Sequence, residues 1–278
     1  MKWRNLSIAK IDKILSPEHL NYEVRYTKKA GDATQITEKA ITEEFDTIVV
    51  VGGDGSLNEV ARVLVNSSVV LGIIPLGSGN GFARSLKIPI LTSQALRNIV
   101  YGNVKKIDVG YVNNKPFFST CGFGFDGIVS HDFENLKGRG YFTYVKSMLR
   151  TYFKYRSSNY TIQYNDHEKK VKALSVIFAN ANQLGYNIKI SKKAEMDNGL
   201  LELCIMKNVP KWKGVISGIM FGMNQLERVK TFSVEKIIGA TIIIEQPEFW
   251  HIDGEAQRLT DKAMIRVEKQ ALQVLVPG

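Results

Sequence analysis

The chain has 278 residues, of which 44% are hydrophobic and 23% charged. That length and mix describe one large or two medium globular domains and exclude a peptide, a zinc finger or a disulfide knot. Lys and Arg number 37 against 27 Asp and Glu; the formal charge of +10 favours anionic partners without choosing among nucleotide, nucleic acid and acidic membrane.

Cys121 and Cys204 show no paired spacing, which predicts free thiols in a reducing compartment. No run approaches the roughly 18 apolar residues that span a bilayer. The opening MKWRNLSIAK lacks the apolar run of a signal peptide. A cytoplasmic chain without a transmembrane segment is expected.

Residues 46–51 form a short β-branched run that ends in Gly-Gly and reads as a strand buried on both faces. Leu57, Val60, Ala61 and Leu64 follow at helical spacing. Val69 to Ile74 reads as a second buried strand. A glycine loop and a helix-like stretch to Leu86 come next. Strand, glycine loop and helix, repeated, predict βαβ units and a Rossmann-like parallel sheet.

The pattern changes near residue 105. Short alternating segments predict strands at Val109–Val112, Phe117–Cys121, Tyr160–Tyr164, Leu174–Ala179, Leu201–Met206 and Thr241–Glu245. Two more fall at Met264–Val267 and Leu272–Val276. Two helices are expected, at about 139–154 and 210–223. The organisation expected is an α/β domain over 1–107 and a mainly antiparallel β-sandwich over 108–278, whose last residues return to the first domain.

Chemistry concentrates in two loops. In Gly52-Gly53-Asp54-Gly55-Ser56-Leu57-Asn58-Glu59 a strand enters and a helix leaves. Glycines allow a sharp turn and close approach to a ligand, and the free N–H groups of the next helix favour an anion. Asp54 puts a carboxylate where phosphate oxygens or a magnesium ion would sit. The second loop, Gly77-Ser78-Gly79-Asn80-Gly81, repeats the arrangement. Adjacent parallel strands place such loops side by side, so the pair predicts one polyphosphate cradle. Neither loop ends in the Gly-Lys-Ser/Thr of a P-loop.

Gly122-Phe123-Gly124-Phe125-Asp126-Gly127 fits the dinucleotide pattern, yet lies outside any βαβ unit; it reads better as a hydrophobic wall with glycine bends. At Ile252-Asp253-Gly254-Glu255 a strand delivers a carboxylate to a turn. Such a group can accept a proton from a substrate hydroxyl, and Asp-Gly is equally an ordinary turn dipeptide. His19, His131, His167 and His251 lack metal-ligand spacing and are expected at surface or turn positions. Trp212, between two lysines and followed by Val215, Ile216 and Ile219, reads as an amphipathic helix packed on the core or lying in a membrane interface.

These motifs resemble, in order and over nearly the whole chain, the diacylglycerol kinase catalytic-domain family, with sphingosine and ceramide kinases as relatives and a fold shared with NAD kinases. The resemblance rests on Gly52–Glu59, Leu76–Ala83, Asn180-Ala181-Asn182, Gly185, Asp197–Glu202 and Ile252–Glu255. It implies an ATP- and Mg2+-dependent kinase of a diacylglycerol-like or sphingoid lipid, presented at a membrane surface. Thr27, upstream of Gly31-Asp32-Ala33, and Ser78 match nucleotide contacts. Asp253 matches the general base, followed by Glu255. Asp108 matches a carboxylate supporting magnesium near Asp54, and Asp197 with Asn198 falls at a second metal position. An amide oxygen at Asn198 is a weaker ligand for a hard cation than a carboxylate. The family's opening strand and Asn-Pro-x-Ser-Gly loop have no match, so an unpaired sheet position and a weaker ATP site are expected. Gly81 stands where many bacterial members carry Asp. Other readings are a kinase of a soluble substrate such as NAD, and a nucleotide-binding regulator without turnover. No nucleic-acid motif is present, and a homodimer is left open.

Overall fold

The computed structural model describes residues 11–13, 20–134, 141–185 and 188–278, with only the backbone for 133–134, 141–144 and 185. His19 and residues 139–140 of an expected helix lie outside them. The chain divides into two compact units, residues 1–107 with 270–278 and residues 108–269.

The first unit contains α1 (Asp32–Thr42), β1 (Thr47–Gly52), α2 (Asp54–Leu64), β2 (Val70–Pro75), the short α3 (Gly81–Ser85) and α4 (Thr92–Tyr101). β1 and β2 are rich in Val and Ile, which suit a pleated, buried surface. They pair in parallel, Thr47 with Val70 through Gly52 with Pro75. The returning C-terminal residues lie on the far side of β2, where Val274 pairs in parallel with Leu71. α2 buries Leu57, Val60, Ala61 and Leu64, one apolar face at helical spacing. Truncating the fully buried Leu64 to Ala is a change of the kind that costs about 2–5 kcal/mol. α4 lays Ala95 and Leu96 on Ile74 of β2.

The parallel arrangement covers these three strands, and the expected Rossmann-like sheet is not seen beyond them among the described residues. A parallel pair needs a helical crossover, and α2 supplies the one between β1 and β2. Residues 20–28 hold no helix or strand, and β1 has β2 as its one strand partner among the described residues.

The second unit is antiparallel. β3 (Asn103–Val112) leads into it, followed by β4 (Lys115–Phe117), β5 (Thr120–Gly124), α5 (Phe125–Glu134), α6 (Tyr141–Lys154), β6 (Ser158–Tyr164) and β7 (His167–Ala179). Then come β8 (Gln183–Gly185), β9 (Ile188–Lys189), β10 (Leu201–Lys207), α7 (Lys211–Gly222), a 3-10 turn at Leu226–Arg228, β11 (Phe232–Ile237), β12 (Gly239–Ile252) and β13 (Glu255–Val276). The end of β13 is the segment that joins the first unit.

Strand order runs β12, β5, β7, β10, β11. β6 shares the slot of β5 end to end. It pairs with Thr241–Ile244 of β12, whereas β5 pairs with Trp250–Ile252. At the joint β12 shifts register between Ile243 and Glu248. There the buried Glu248 accepts hydroxyls from Ser158 at 2.8 Å, Tyr155 at 3.1 Å and Tyr160. Burial raises the Glu248 pKa and the hydroxyls oppose it. On one side of the sheet Phe123 stacks on Trp250 with ring centroids 5.6 Å apart, in a core with Phe178 and Ile162. Such aromatic pairs add about 0.5–1.5 kcal/mol beyond area burial.

One expected strand, Phe117–Cys121, is broken. β4 ends at Phe117, β5 starts at Thr120, and Phe118–Ser119 forms a bend.

Candidate active site

In the first unit the two glycine loops touch main chain to main chain. A Cβ on Gly77 would lie 2.6 Å from the Gly53 Cα and 2.7 Å from Asn80 Oδ1. A Cβ on Gly53 would lie 3.1 Å from the Gly77 Cα. Leu76 N–H donates to the Gly52 carbonyl at 2.7 Å. Only glycine allows this approach.

Asp54 opens α2 and reaches across to the second loop. Its Oδ2 accepts the Asn80 N–H at 2.9 Å, and the amides of Gly81 and Phe82 also face it. Burial raises its pKa, and those amides pull the other way. Asn80 is left-handed, with φ 50°, and its Nδ2 donates to the Gly77 carbonyl at 2.9 Å. Asn tolerates this region better than most residues. Gly55 in the first turn of α2 and Ser78 in the second loop are exposed, while Leu57 and Asn58 are buried within α2. Ser56 packs against Gly52. Arg84 Nε donates to the Gly79 carbonyl at 3.2 Å and holds the second loop from below.

Glu59 faces the start of α1. Its carboxylate accepts the amides of Gly31 at 3.0 Å and Ala33 at 3.2 Å. Asp32 in turn accepts those of Lys28 at 2.7 Å and Lys29 at 3.0 Å. Thr27, exposed, precedes this network directly. Glu59 is therefore a brace for the Thr27–Ala33 segment.

In the second unit Asp253 and Gly254 form the tight turn between β12 and β13, with φ 50° and 85°, closed by the pair Ile252–Glu255. A two-residue hairpin with both residues left-handed matches the strand twist and favours Asp-Gly. The Asp253 side chain is held as well. Oδ2 accepts the Phe118 N–H at 2.9 Å, and Oδ1 accepts those of Ser119 at 2.7 Å and Thr120 at 3.0 Å. The bend that breaks the expected strand thus turns three amides onto one carboxylate. Asn180, fully buried, braces the bend from behind: its Nδ2 donates to the Phe118 carbonyl at 3.0 Å and its N–H to the Ser119 carbonyl at 2.9 Å. Asp253 is a turn residue, and its carboxylate is fixed in place by three amides. The amides of Phe118, Ser119 and Thr120 carry no sequence signal, because any residue supplies an N–H.

His251 departs from the surface or turn position expected of it. It is buried in β12, and its Nδ1 accepts the Gly254 N–H at 3.2 Å. Burial lowers its pKa to about 4, so the ring is neutral. Cys121 and Cys204 are free and buried. Burial, then the Asp253 charge, pushes the Cys121 thiol up. Phe123 and Phe125 are both buried, Phe125 against Tyr152 at 5.9 Å, and act as core. Gly127 lets α5 press on the Phe249 carbonyl, 2.2 Å from where a Cβ would sit.

Of the carboxylates expected at metal positions, Asp108 is buried and its Oδ2 accepts the Gly199 N–H at 2.6 Å. Asn198 Oδ1 accepts the Leu200 N–H at 2.9 Å. Asp197 is next to it, exposed. Asp108 and Asn198 thus shape the loop before β10. Glu255 opens β13 half-buried. Among the described residues no three His, Cys, Asp or Glu side chains gather tightly enough to hold a metal ion. An all-protein metal cage does not fit. An ion that arrives on phosphates, needing one or two carboxylates, does fit Asp54.

Two family models match the chain in tandem. The diacylglycerol kinase catalytic domain covers residues 2–112, and the YegS C-terminal NAD kinase beta sandwich-like domain covers 119–276. A Pseudomonas aeruginosa protein described as "Probable lipid kinase YegS-like" is 30% identical over 266 residues, 92% of this chain and 84% of its own. A diacylglycerol kinase of Staphylococcus epidermidis is 30% identical over 202 residues, 70% of this chain and 64% of its own. The crystal structure of a diacylglycerol kinase from Bacillus anthracis superposes with a TM-score of 0.74 at 20% identity, over 97% of this chain and 90% of that one. An NAD kinase from Archaeoglobus fulgidus, in complex with ATP, shares the fold at a TM-score of 0.53 and 12% identity, over 96% and 88%. The chain belongs to the diacylglycerol kinase catalytic-domain family.

Proposed function

We propose that the protein is an ATP-dependent lipid kinase that transfers the γ-phosphoryl group of ATP to a hydroxyl of a diacylglycerol-like or sphingoid lipid. The observation that carries this reading is the contact of the two glycine loops, Gly53 against Gly77, fastened by Asp54 on the Asn80 amide. It leaves a surface of backbone beside a carboxylate, the arrangement that phosphates and their cation need. Gly52, Gly53, Gly55, Gly77 and Gly79 offer backbone to the phosphates, with Ser56, Ser78 and Thr27 as hydroxyl contacts.

Magnesium, when it comes with the nucleotide, neutralises charge on the transferring group. Asp54 is the residue that would hold it. Asp108 and the Asp197–Asn198 pair support their own loop. The lipid hydroxyl oxygen forms the new bond to the γ-phosphorus, the bond to the bridging oxygen of the β-phosphate breaks, and ADP leaves with that electron pair. The hydroxyl proton passes to Asp253. Positioning by amides suits this role, since phosphoryl transfer asks mainly for orientation and charge stabilisation. The lipid is met at a membrane surface, with the protein peripheral to it; no helix among the described residues is long and apolar enough to cross a membrane.

Purified protein is incubated with labelled ATP, magnesium and a panel of diacylglycerol, monoacylglycerol, sphingosine and ceramide in micelles, and separately with NAD. Labelled lipid phosphate is expected. Label in NAD alone overturns the reading in favour of a soluble acceptor. ATP binding without any labelled product favours a regulator without turnover.

A further inference from the structure

In the second unit the end of α6 meets the start of α7. Tyr152 of α6 donates its hydroxyl to the Lys211 carbonyl at 3.1 Å, and Lys211 Nζ returns to the Tyr155 carbonyl at 2.8 Å. The sequence of α7 has the apolar spacing of a helix that should bury one face, yet Ser217 is its one buried side chain. Trp212, Ile216, Ile219 and Met223 point outward on one stripe, exposed by 63%, 52%, 58% and 60%. Leu149 and Phe153 of α6, four apart and on one face, are exposed as well. Singly exposed apolar residues are ordinary; a stripe of four along one helix, with two more on the helix that meets its start, marks an interaction surface.

The charges around it identify the occupant. Within the two helices stand Lys146, Arg150, Lys154, Lys211 and Lys213, and no Asp or Glu. Arg156, exposed, follows α6 directly. Two carboxylates border the helices and both accept hydrogen bonds: Asp132 of α5 from the Thr151 hydroxyl at 2.6 Å, and Glu227 of the 3-10 turn from the Lys192 N–H at 3.0 Å. Lys213 stands over the Trp212 ring at 5.2 Å, a cation and an indole at one level, as at a bilayer interface. An apolar stripe on helices whose own charged side chains are all cations matches acyl chains below anionic head groups. A soluble protein partner would be expected to answer it with carboxylates and a shaped pocket.

We infer that the α6–α7 face is the surface by which this protein docks on anionic lipid bilayers, with Trp212, Ile216 and Ile219 inserted and the lysines at head-group level. This deepens the lipid-kinase reading and rests on it for its purpose, though not for its test. The α7 side chains hold no catalytic group.

The test compares the wild type with the triple variant Trp212→Ser, Ile216→Ser, Ile219→Ser, and with Lys154→Glu, Lys213→Glu. Sedimentation is measured with vesicles of phosphatidylcholine alone and of phosphatidylcholine mixed with phosphatidylglycerol, neither containing diacylglycerol. The wild type is expected to bind the mixed vesicles, less so as salt rises. The triple variant should bind on the order of a hundredfold more weakly. The charge variant should lose the preference for phosphatidylglycerol. All keep their thermal melt and their activity on a dispersed short-chain diacylglycerol. Vesicle binding without phosphorylation of any lipid keeps the docking surface and removes the kinase reading. Equal binding by wild type and triple variant, or none by the wild type, overturns the inference. So does a wild-type dimer that the triple variant splits with vesicle binding unchanged, which assigns the face to a second copy.

Discussion

The carboxylate of Asp54 accepts the main-chain N–H of Asn80 at 2.9 Å, so one glycine loop sets the position of the other. Asp54→Ala removes that tie together with the charge. Hydrogen bonds to a charged group contribute about 1.5–3 kcal/mol, and a loss of that size is expected in urea unfolding. On the proposed reading phosphoryl transfer should fall further than the stability change explains, because Asp54 would no longer offer the cation a carboxylate. Asp54→Asn separates the two: it keeps much of the stability and little of the activity. An Asn variant with near wild-type kcat removes Asp54 from the reaction.

Gly77→Ala places a methyl 2.6 Å from the Gly53 Cα. Backbone cannot yield as a side-chain tip does, and forced overpacking costs about 1–3 kcal/mol. The expected outcome is a loss of ATP affinity of about tenfold or more, read by titration calorimetry. Gly222→Ala, where a Cβ meets nothing within 4 Å, serves as the control that leaves affinity unchanged.

Asp253→Asn retains the left-handed turn, since Asn tolerates it nearly as well. It also turns an NH2 group toward the amides of Phe118, Ser119 and Thr120, which now face the carboxylate. The turnover number should drop by about 10² to 10⁴, the range for loss of a general base, with the KM for ATP little moved. Asp253→Ala should lose more melting temperature than the Asn variant, because it removes both acceptor oxygens. Unchanged turnover in the Asn variant takes the base role away from Asp253.

Two groups, the half-buried Asp126 and the buried His251, titrate in opposite directions over one pH window. Burial raises the Asp126 pKa from 3.8 to about 6, against the pull of the Ser175 hydroxyl. Its stabilising contribution is present below 3.8 and is lost as pH rises through 6. Burial lowers the His251 pKa from 6.5 to about 4, so its contribution is present above 6.5 and is lost as pH falls toward 4. At about 1.4 kcal/mol per unit each amounts to roughly 3 kcal/mol, and the two nearly cancel. Asp126→Asn should leave stability climbing from pH 4 to 6.5, and His251→Asn should leave it falling. Urea midpoints across that window decide; parallel profiles for both variants contradict the assignment.

Much of this was legible in the residues themselves. The β-branched runs before Gly52 and Pro75 read as strands because hydrophobic periodicity is local, and the glycine octet marks a strand-to-helix turn for the same reason. The expected helix at 210–223 appears as Lys211–Gly222. What could not be read is anything fixed by distant chain. The bend at Phe118–Ser119 interrupts a segment whose alternation looks continuous, because Asp253, more than a hundred residues on, gathers its amides. His251 looked polar enough for a turn, yet Gly254 N–H gives it a buried partner. Asn58, Leu57 and Glu59 sit inside the octet by sequence, while the helix directs them inward or toward the start of α1. Helix phase, and not motif membership, decides which members of a motif can meet a ligand.

The Gly53–Gly77 contact also limits what change can reach. With this close approach, Gly77 has no room for a side chain and Gly53 very little, so drift could hardly retune the proposed grip on phosphates by adding groups there. Novelty in what this enzyme accepts must therefore arise from other surfaces, and its lineage should diversify in acceptors while its donor stays constant.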